Sequence, residues 1–167
     1  VKTHPSQQLI GHDFPTPPKV HFMDMGCASA LRGEDVGSFG LDAAPNALGH
    51  LLESFAFCEL EKSLPFLGRK WALYHWRNAL REVDIVAEAP GRVLALFEMK
   101  ASMTVDWNDF RHVDWFLKEG PGQAYEGPAF VVYLGDQVLS FGAGSRGTAA
   151  LHFLVVPEPQ TCDGPVT

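Results

Sequence analysis

The chain has 167 residues, 46% hydrophobic and 20% charged, with 20 acidic against 13 basic side chains and a formal net charge of −7. Such a chain fits one globular domain with a core of its own. No apolar run approaches the roughly 20 residues that a bilayer-spanning helix needs. The acidic balance argues against nucleic-acid binding through overall charge, so that function would need a local basic groove.

Residues 1–18 are polar and proline-rich, and Phe14-Pro15-Thr16-Pro17-Pro18 reads as an extended lead-in. They carry no secretory pattern, and the start at Val1 reads as a cut rather than a natural beginning. Residues 19–23 alternate like a short edge strand, and residues 25–31 can form a short helix. The clearest helix is 47–64, where Leu48, Leu51, Leu52, Phe55 and Cys58 make one apolar face. Asn46 is its expected N-cap, and Pro65 with Gly68 ends the run. Glu59 falls within the apolar arc and Glu53 at its flank, so both look onto something besides water.

Strands are expected at 71–77, 82–88 and 92–100, the last two joined by a tight connection at Ala89-Pro90-Gly91. A second helix follows at 109–118, then strands at 129–134, 137–141 and 151–156. The order is that of an α/β sandwich. The domain is expected to run over 19–157, with 158–167 as a tail.

Charges appear in the hairpin strands where apolar residues would be the rule. Glu98 and Lys100 alternate onto the face of Leu94 and Leu96, while Val83, Ile85 and Ala87 are expected to share one face and Asp84, Val86 and Glu88 the other. Carboxylates and a lysine in a sheet covered on both sides are costly unless paired or metal-bound. A two-residue connection would pair Asp84 with Phe97 and set Asp84 and Glu98 on opposite faces. A three-residue connection, or a bulge, would bring Asp84 opposite Glu98 with Lys100 beside them, and this is the expected register.

Several pieces in order then resemble a known superfamily. They are Pro18-Lys19-Val20-His21-Phe22, Asp24-Met25-Gly26, Gly49-His50-Leu51-Leu52-Glu53, Arg81-Glu82-Val83-Asp84, Glu98-Met99-Lys100-Ala101-Ser102 and Val131-Val132-Tyr133-Leu134-Gly135. The set is similar to the PD-(D/E)XK nuclease superfamily, and within it to the uncharacterised domain that lies C-terminal to AAA-type ATPases in bacteria and archaea. Cys27 stands where that group usually has leucine, and the chain holds no P-loop motif, so no ATP binding is expected of it. The resemblance implies a restriction-endonuclease-like α-β-β-β-α-β core with a central mixed sheet flanked by helices.

The resemblance also implies roles. Asp84 and Glu98 would bind a divalent metal, Mg²⁺ with Mn²⁺ as substitute, helped by the Phe97 or Met99 carbonyl. Lys100 would orient the attacking water and steady phosphate charge, and Glu53 would assist. The implied function is a metal-dependent DNA phosphodiesterase in the cytoplasm, with DNA, an ATPase module or a second copy as partners and no membrane. The alternative is a non-catalytic regulatory or partner-binding module of an AAA-type ATPase with a relic polar site. An orphaned fragment is a third reading. Clustering of Arg69, Lys70, Arg77 and Arg81 at the site would favour nucleic-acid binding.

Other features carry plainer readings. The three cysteines, Cys27, Cys58 and Cys162, fit neither a disulfide framework nor a zinc pattern and read as thiols in a reducing cytoplasm. The seven histidines, His75 and His112 among them, show no ligand spacing and read as surface or core-edge residues. The run from Gly142 to Gly147 reads as a flexible turn, and Glu59 and Glu88 as ion-paired or solvated side chains. Trp71, Trp76, Trp107 and Trp115 read as packing residues, with Trp107 a candidate partner contact.

Overall fold

The computed structural model describes residues 2–4, 19–39, 45–91, 93–141 and 149–150. The expected strand at 151–156, the glycine-rich turn at 142–147 and the tail at 158–167 lie outside them, as does Cys162. A short antiparallel pair, β1 (Lys2–His4) and β2 (Lys19–His21), opens the chain, so part of the expected lead-in is itself a strand. Helix α1 (Met25–Leu31) follows, its first turn closed by Asp24, whose carboxylate accepts the Cys27 N–H at 2.9 Å.

Helix α2 runs Pro45–Ser63, so Asn46 lies inside the helix and not at its cap. The fixed φ of proline suits the first helical position, and that preference sets the start two residues earlier than the apolar spacing alone suggests. The helix gives way to a 3-10 turn, Leu64–Leu67, closed by Gly68 at φ 69°. Then come β3 (Ala72–Arg77), β4 (Glu82–Ala89), β5 (Val93–Lys100), helix α3 (Arg111–Lys118), β6 (Ala129–Tyr133), and the two-residue strands β7 (Ser140–Phe141) and β8 (Ala149–Ala150).

The main sheet has strand order β3-β4-β5-β6-β8-β7. Strands β3, β4 and β5 are antiparallel, whereas β6 lies parallel to β5 because the chain crosses over through α3. The result is a mixed α/β fold whose sheet is covered by α3 on one face and α2 on the other. On the α3 face, Val86, Leu94, Leu96, Phe110, Val113, Phe116 and Val131 form the larger core. Val113 and Phe116 are fully enclosed, each worth roughly 1.5–3 kcal/mol of burial. On the α2 face, Leu52, Ala56, Phe57 and Cys58 pack on Ile85, Met99 and Val132.

One departure from simple alternation bears on the site. Tyr74 pairs with Val86 but Trp76 pairs with Val83, so β4 has one extra residue opposite His75. Val83 therefore joins Val86 on the α3 side while Ile85 packs on α2, correcting the expectation that Val83, Ile85 and Ala87 share a face. A bulge re-aims the side chains beside it, and Asp84 is one of the bulged residues.

Candidate functional site

Hairpin pairing runs from Ala89↔Val93 to Ile85↔Phe97, which leaves residues 90–92 as a three-residue connection. Asp84 is next in line, opposite Glu98, where the ladder stops. Its Oδ2 accepts the Met99 backbone N–H at 2.8 Å. The carboxylate thus lies near the plane of the sheet, filling the gap where β4 and β5 part, and two charged groups meet at it.

On the α2 side stands Lys19. Its ammonium contacts Glu53 Oε1 at 2.7 Å, Glu82 Oε1 at 2.6 Å and Asp84 Oδ1 at 3.6 Å. Lys19 is positioned by its neighbour His21, whose ring stacks on Phe57 with centroids 4.4 Å apart and whose Nδ1 pairs with Ser54 Oγ at 3.1 Å. Burial, with Lys19 and His75 close by, pushes His21 down to about 4, so a neutral ring seats β2 on α2. Burial and Asp84 raise Glu53, against the pull of Lys19. A cavity of about 570 Å³ opens onto Lys19, Glu53, Glu82 and Asp84, walled by Phe22, Met25, Leu31 and Leu51.

On the α3 side stand Glu98 and Lys100, alternating with Leu94 and Leu96. Lys100 Nζ lies 3.4 Å from Glu98 Oε1 and 3.9 Å from Asp109 Oδ1. Glu98 is buried, and its Oε2 has no hydrogen-bond partner among the described residues. Burial, and next the charge of Asp84, push Glu98 up to about 8 despite Lys100. Asp84 is raised too, by burial, while Lys19, the Met99 N–H and Lys100 act the other way.

Asp84, Glu98, Lys100 and Glu53 thus all lie around the open end of one strand pair. Sequence reasoning did not assign roles to Lys19 or Glu82. Lys19 stood in the quoted Pro18-Lys19 piece, but its partners lie in α2 and β4, and nothing in the spacing along the chain joins them. Other residues take structural roles. Glu59 pairs with Lys62 at 2.7 Å, Glu88 accepts from the Tyr125 hydroxyl at 3.2 Å, and His75 is buried in β3. Cys27 is exposed, and the buried Cys58 thiol donates to the Phe22 carbonyl at 3.3 Å.

Among the described residues, no group of three or more His, Cys, Asp or Glu side chains is drawn together as a metal would need. Two carboxylates do suit a hard cation. Mg²⁺ is commonly held by one or two carboxylates with water and substrate phosphate completing the shell, and the partnerless Glu98 Oε2 is a buried oxygen of the right kind.

A two-faced mixed sheet with a polar site at the end of its central hairpin defines an α/β domain that concentrates charge at one corner. Residues 48–153 match the family described as a domain of unknown function (DUF4143), and the chain belongs to that family. The match takes in Glu53, Asp84, Glu98 and Lys100 but stops short of Lys19. No curated protein and no solved structure matches the chain. Among the described residues no helix is long and apolar enough to cross a membrane.

Proposed function

We propose that this domain is a metal-dependent DNA phosphodiesterase of the PD-(D/E)XK kind, acting in the cytoplasm as the nuclease-like part of an ATPase-associated protein. The observation that carries the reading is the seating of the Asp84 carboxylate in the gap between β4 and β5, with Glu98 and Lys100 adjoining it on the next strand. The order α2, three antiparallel strands, α3 and a parallel strand supports it as well.

Asp84 and Glu98 would hold Mg²⁺ or Mn²⁺, which when bound would polarise the phosphate and acidify a water. The chain's own residues do the rest. Lys100, near Glu98, would orient the attacking water and stabilise charge developing on the phosphoryl oxygens. The Met99 N–H fixes the Asp84 carboxylate in one orientation. Glu53, at the edge of the cavity, would position a further water.

One observation favours a second reading, a non-catalytic regulatory or partner-binding module of an AAA-type ATPase. Lys19 already pairs with Glu53, Glu82 and Asp84, as the centre of a purely structural ion network would. Plasmid nicking in Mg²⁺ or Mn²⁺ separates the two. Wild type is expected to nick, with Asp84→Ala and Lys100→Ala each slower by at least about 100-fold, in keeping with loss of an electrostatic catalytic group. Equal activity in all three, or none in wild type, would remove the nuclease reading.

A further inference from the structure

The basic residues of the chain are not spread evenly. On the side of the site away from Lys19, three cations surround one histidine. His112 Nδ1 lies 3.1 Å from the Glu82 carbonyl, and the Arg111 Nε donates to His112 Nε2 at 3.1 Å. Accepting there from Arg111 leaves Nδ1 as the nitrogen that carries the proton and donates to Glu82. Burial, then Arg111, Lys100 and Arg81, lower this ring's pKa against the pull of Glu82, so all three cations lie close to it. Arg81 lies over the Trp115 ring, 4.6 Å from its centroid, whereas Arg77 stands on the Lys19 side, sharing the Glu82 carboxylate with Lys19 and lining the same cavity.

Local structure holds this cluster in place. The turn that carries Arg81 is closed by Asn78, whose side-chain oxygen accepts from the N–H groups of Leu80 and Arg81 at 2.9 and 2.7 Å. Arg111 opens α3, whose other face is the main core. The fixed frame lowers the ordering cost of ligand binding. Acidic groups close to the cluster are already engaged, Glu82 by Lys19, Asp114 by Lys118 and Asp109 by the Asp106 N–H and Lys100.

We propose that Arg81 and Arg111 form a docking surface for the phosphodiester backbone of a nucleic acid, leading a strand to Lys100 and Asp84. This rests on the preceding reading of the site and adds what it lacked, a local basic surface on a chain of net charge −7. Arginine suits the role because its planar fork meets phosphate oxygens in pairs. Arg69 and Lys70 do not belong to the surface. They precede β3, whose six residues put roughly 20 Å between them and the turn that carries Arg81.

The test is equilibrium binding of fluorescein-labelled 20-mer DNA, single-stranded and duplex, to the whole chain in EDTA, read by anisotropy across a salt series. Wild type is expected to bind, and Arg81→Gln/Arg111→Gln to bind at least 10-fold more weakly. The double variant should lower the slope of log K against log salt by about 1.4 on the single strand or about 1.8 on the duplex. Arg81→Lys/Arg111→Lys should restore most of the slope, which a folding defect would not allow. Arg69→Gln/Lys70→Gln should bind like wild type. No binding by wild type, an unchanged slope in the double variant, or equal loss on neutralising Arg69 and Lys70 would overturn the proposal. The outcome is separable from turnover: binding without nicking leaves this surface standing and removes the phosphodiesterase. Nicking with an unaltered salt slope in the double variant does the reverse.

Discussion

Glu98 shows how far a single side chain can be pushed by where the strand puts it. Its ordinary pKa is near 4.5, but burial and Asp84 raise it to about 8. The folded protein therefore keeps a proton that the unfolded chain releases between those values. The stability this contributes is fully present below about pH 4.5 and is lost as pH rises through about 8. Glu98→Gln keeps the shape, removes the ionisation and needs no proton. The metal-free variant is expected to melt at the wild-type temperature near pH 5 and several degrees above it at pH 8.5, as read by scanning fluorimetry, while nicking disappears. Matching melting curves at both pH values would mean that Glu98 is not held protonated. A gain in stability with a loss of activity is the signature of a group retained for function. That Glu98 and Asp84 stand out was legible in the sequence, since a charge among Leu94, Leu96 and Val86 breaks an apolar pattern. Lys19 was not, because its three partners lie on elements that only the fold brings to it.

At the scale of elements, most of the architecture followed from periodicity, and the exceptions have local causes. Strands β2 to β6 and both larger helices lie within a few residues of where hydrophobic spacing puts them, whereas β1 falls in the stretch read as a lead-in. The bulge in β4 left no trace, because Val83, Asp84, Ile85 and Val86 read as ordinary alternation until β3 is laid beside them and Trp76 meets Val83. The start of α2 slipped because Asn46 is a good cap, yet Pro45 is the better first residue of a helix. The entry to β6 was also hidden. Gly127 has φ 152°, and a Cβ there would run into the Leu94 carbonyl oxygen. Leu94 N–H and Leu96 N–H reach the Glu126 and Pro128 carbonyls at 2.9 and 3.1 Å across this approach. Gly127→Ala is therefore expected to cost about 3 kcal/mol in urea unfolding, combining backbone strain with a steric clash. Gly91 offers the comparison: its φ is 89° with nothing within 4 Å, so Gly91→Ala should cost about 1 kcal/mol. Equal costs would mean that β5 and β6 can part at that end without penalty.

For the molecule as a whole, the carboxylates at the sheet corner work against folding until something positive joins them. Lys19 serves Glu53, Glu82 and Asp84, but it approaches Asp84 only to 3.6 Å, and Glu98 Oε2 has no hydrogen-bond partner among the described residues. A divalent cation between Asp84 and Glu98 would relieve the remaining repulsion in the folded state alone, since the unfolded chain does not hold the two together. Binding restricted to the folded state stabilises by RT ln(1 + [L]/Kd), about 1.4 kcal/mol at ten times Kd. In a domain of this size that corresponds to a rise in Tm of roughly 3–6 °C. A Mg²⁺ titration followed by Tm should therefore climb and saturate in wild type, and stay flat in Asp84→Ala. The contrast matters more than the size of the shift, because an unspecific salt effect would move both proteins alike. A parallel rise in the variant would leave Lys19 as the cation that this corner of the fold was built around, and the ion network as a structural device.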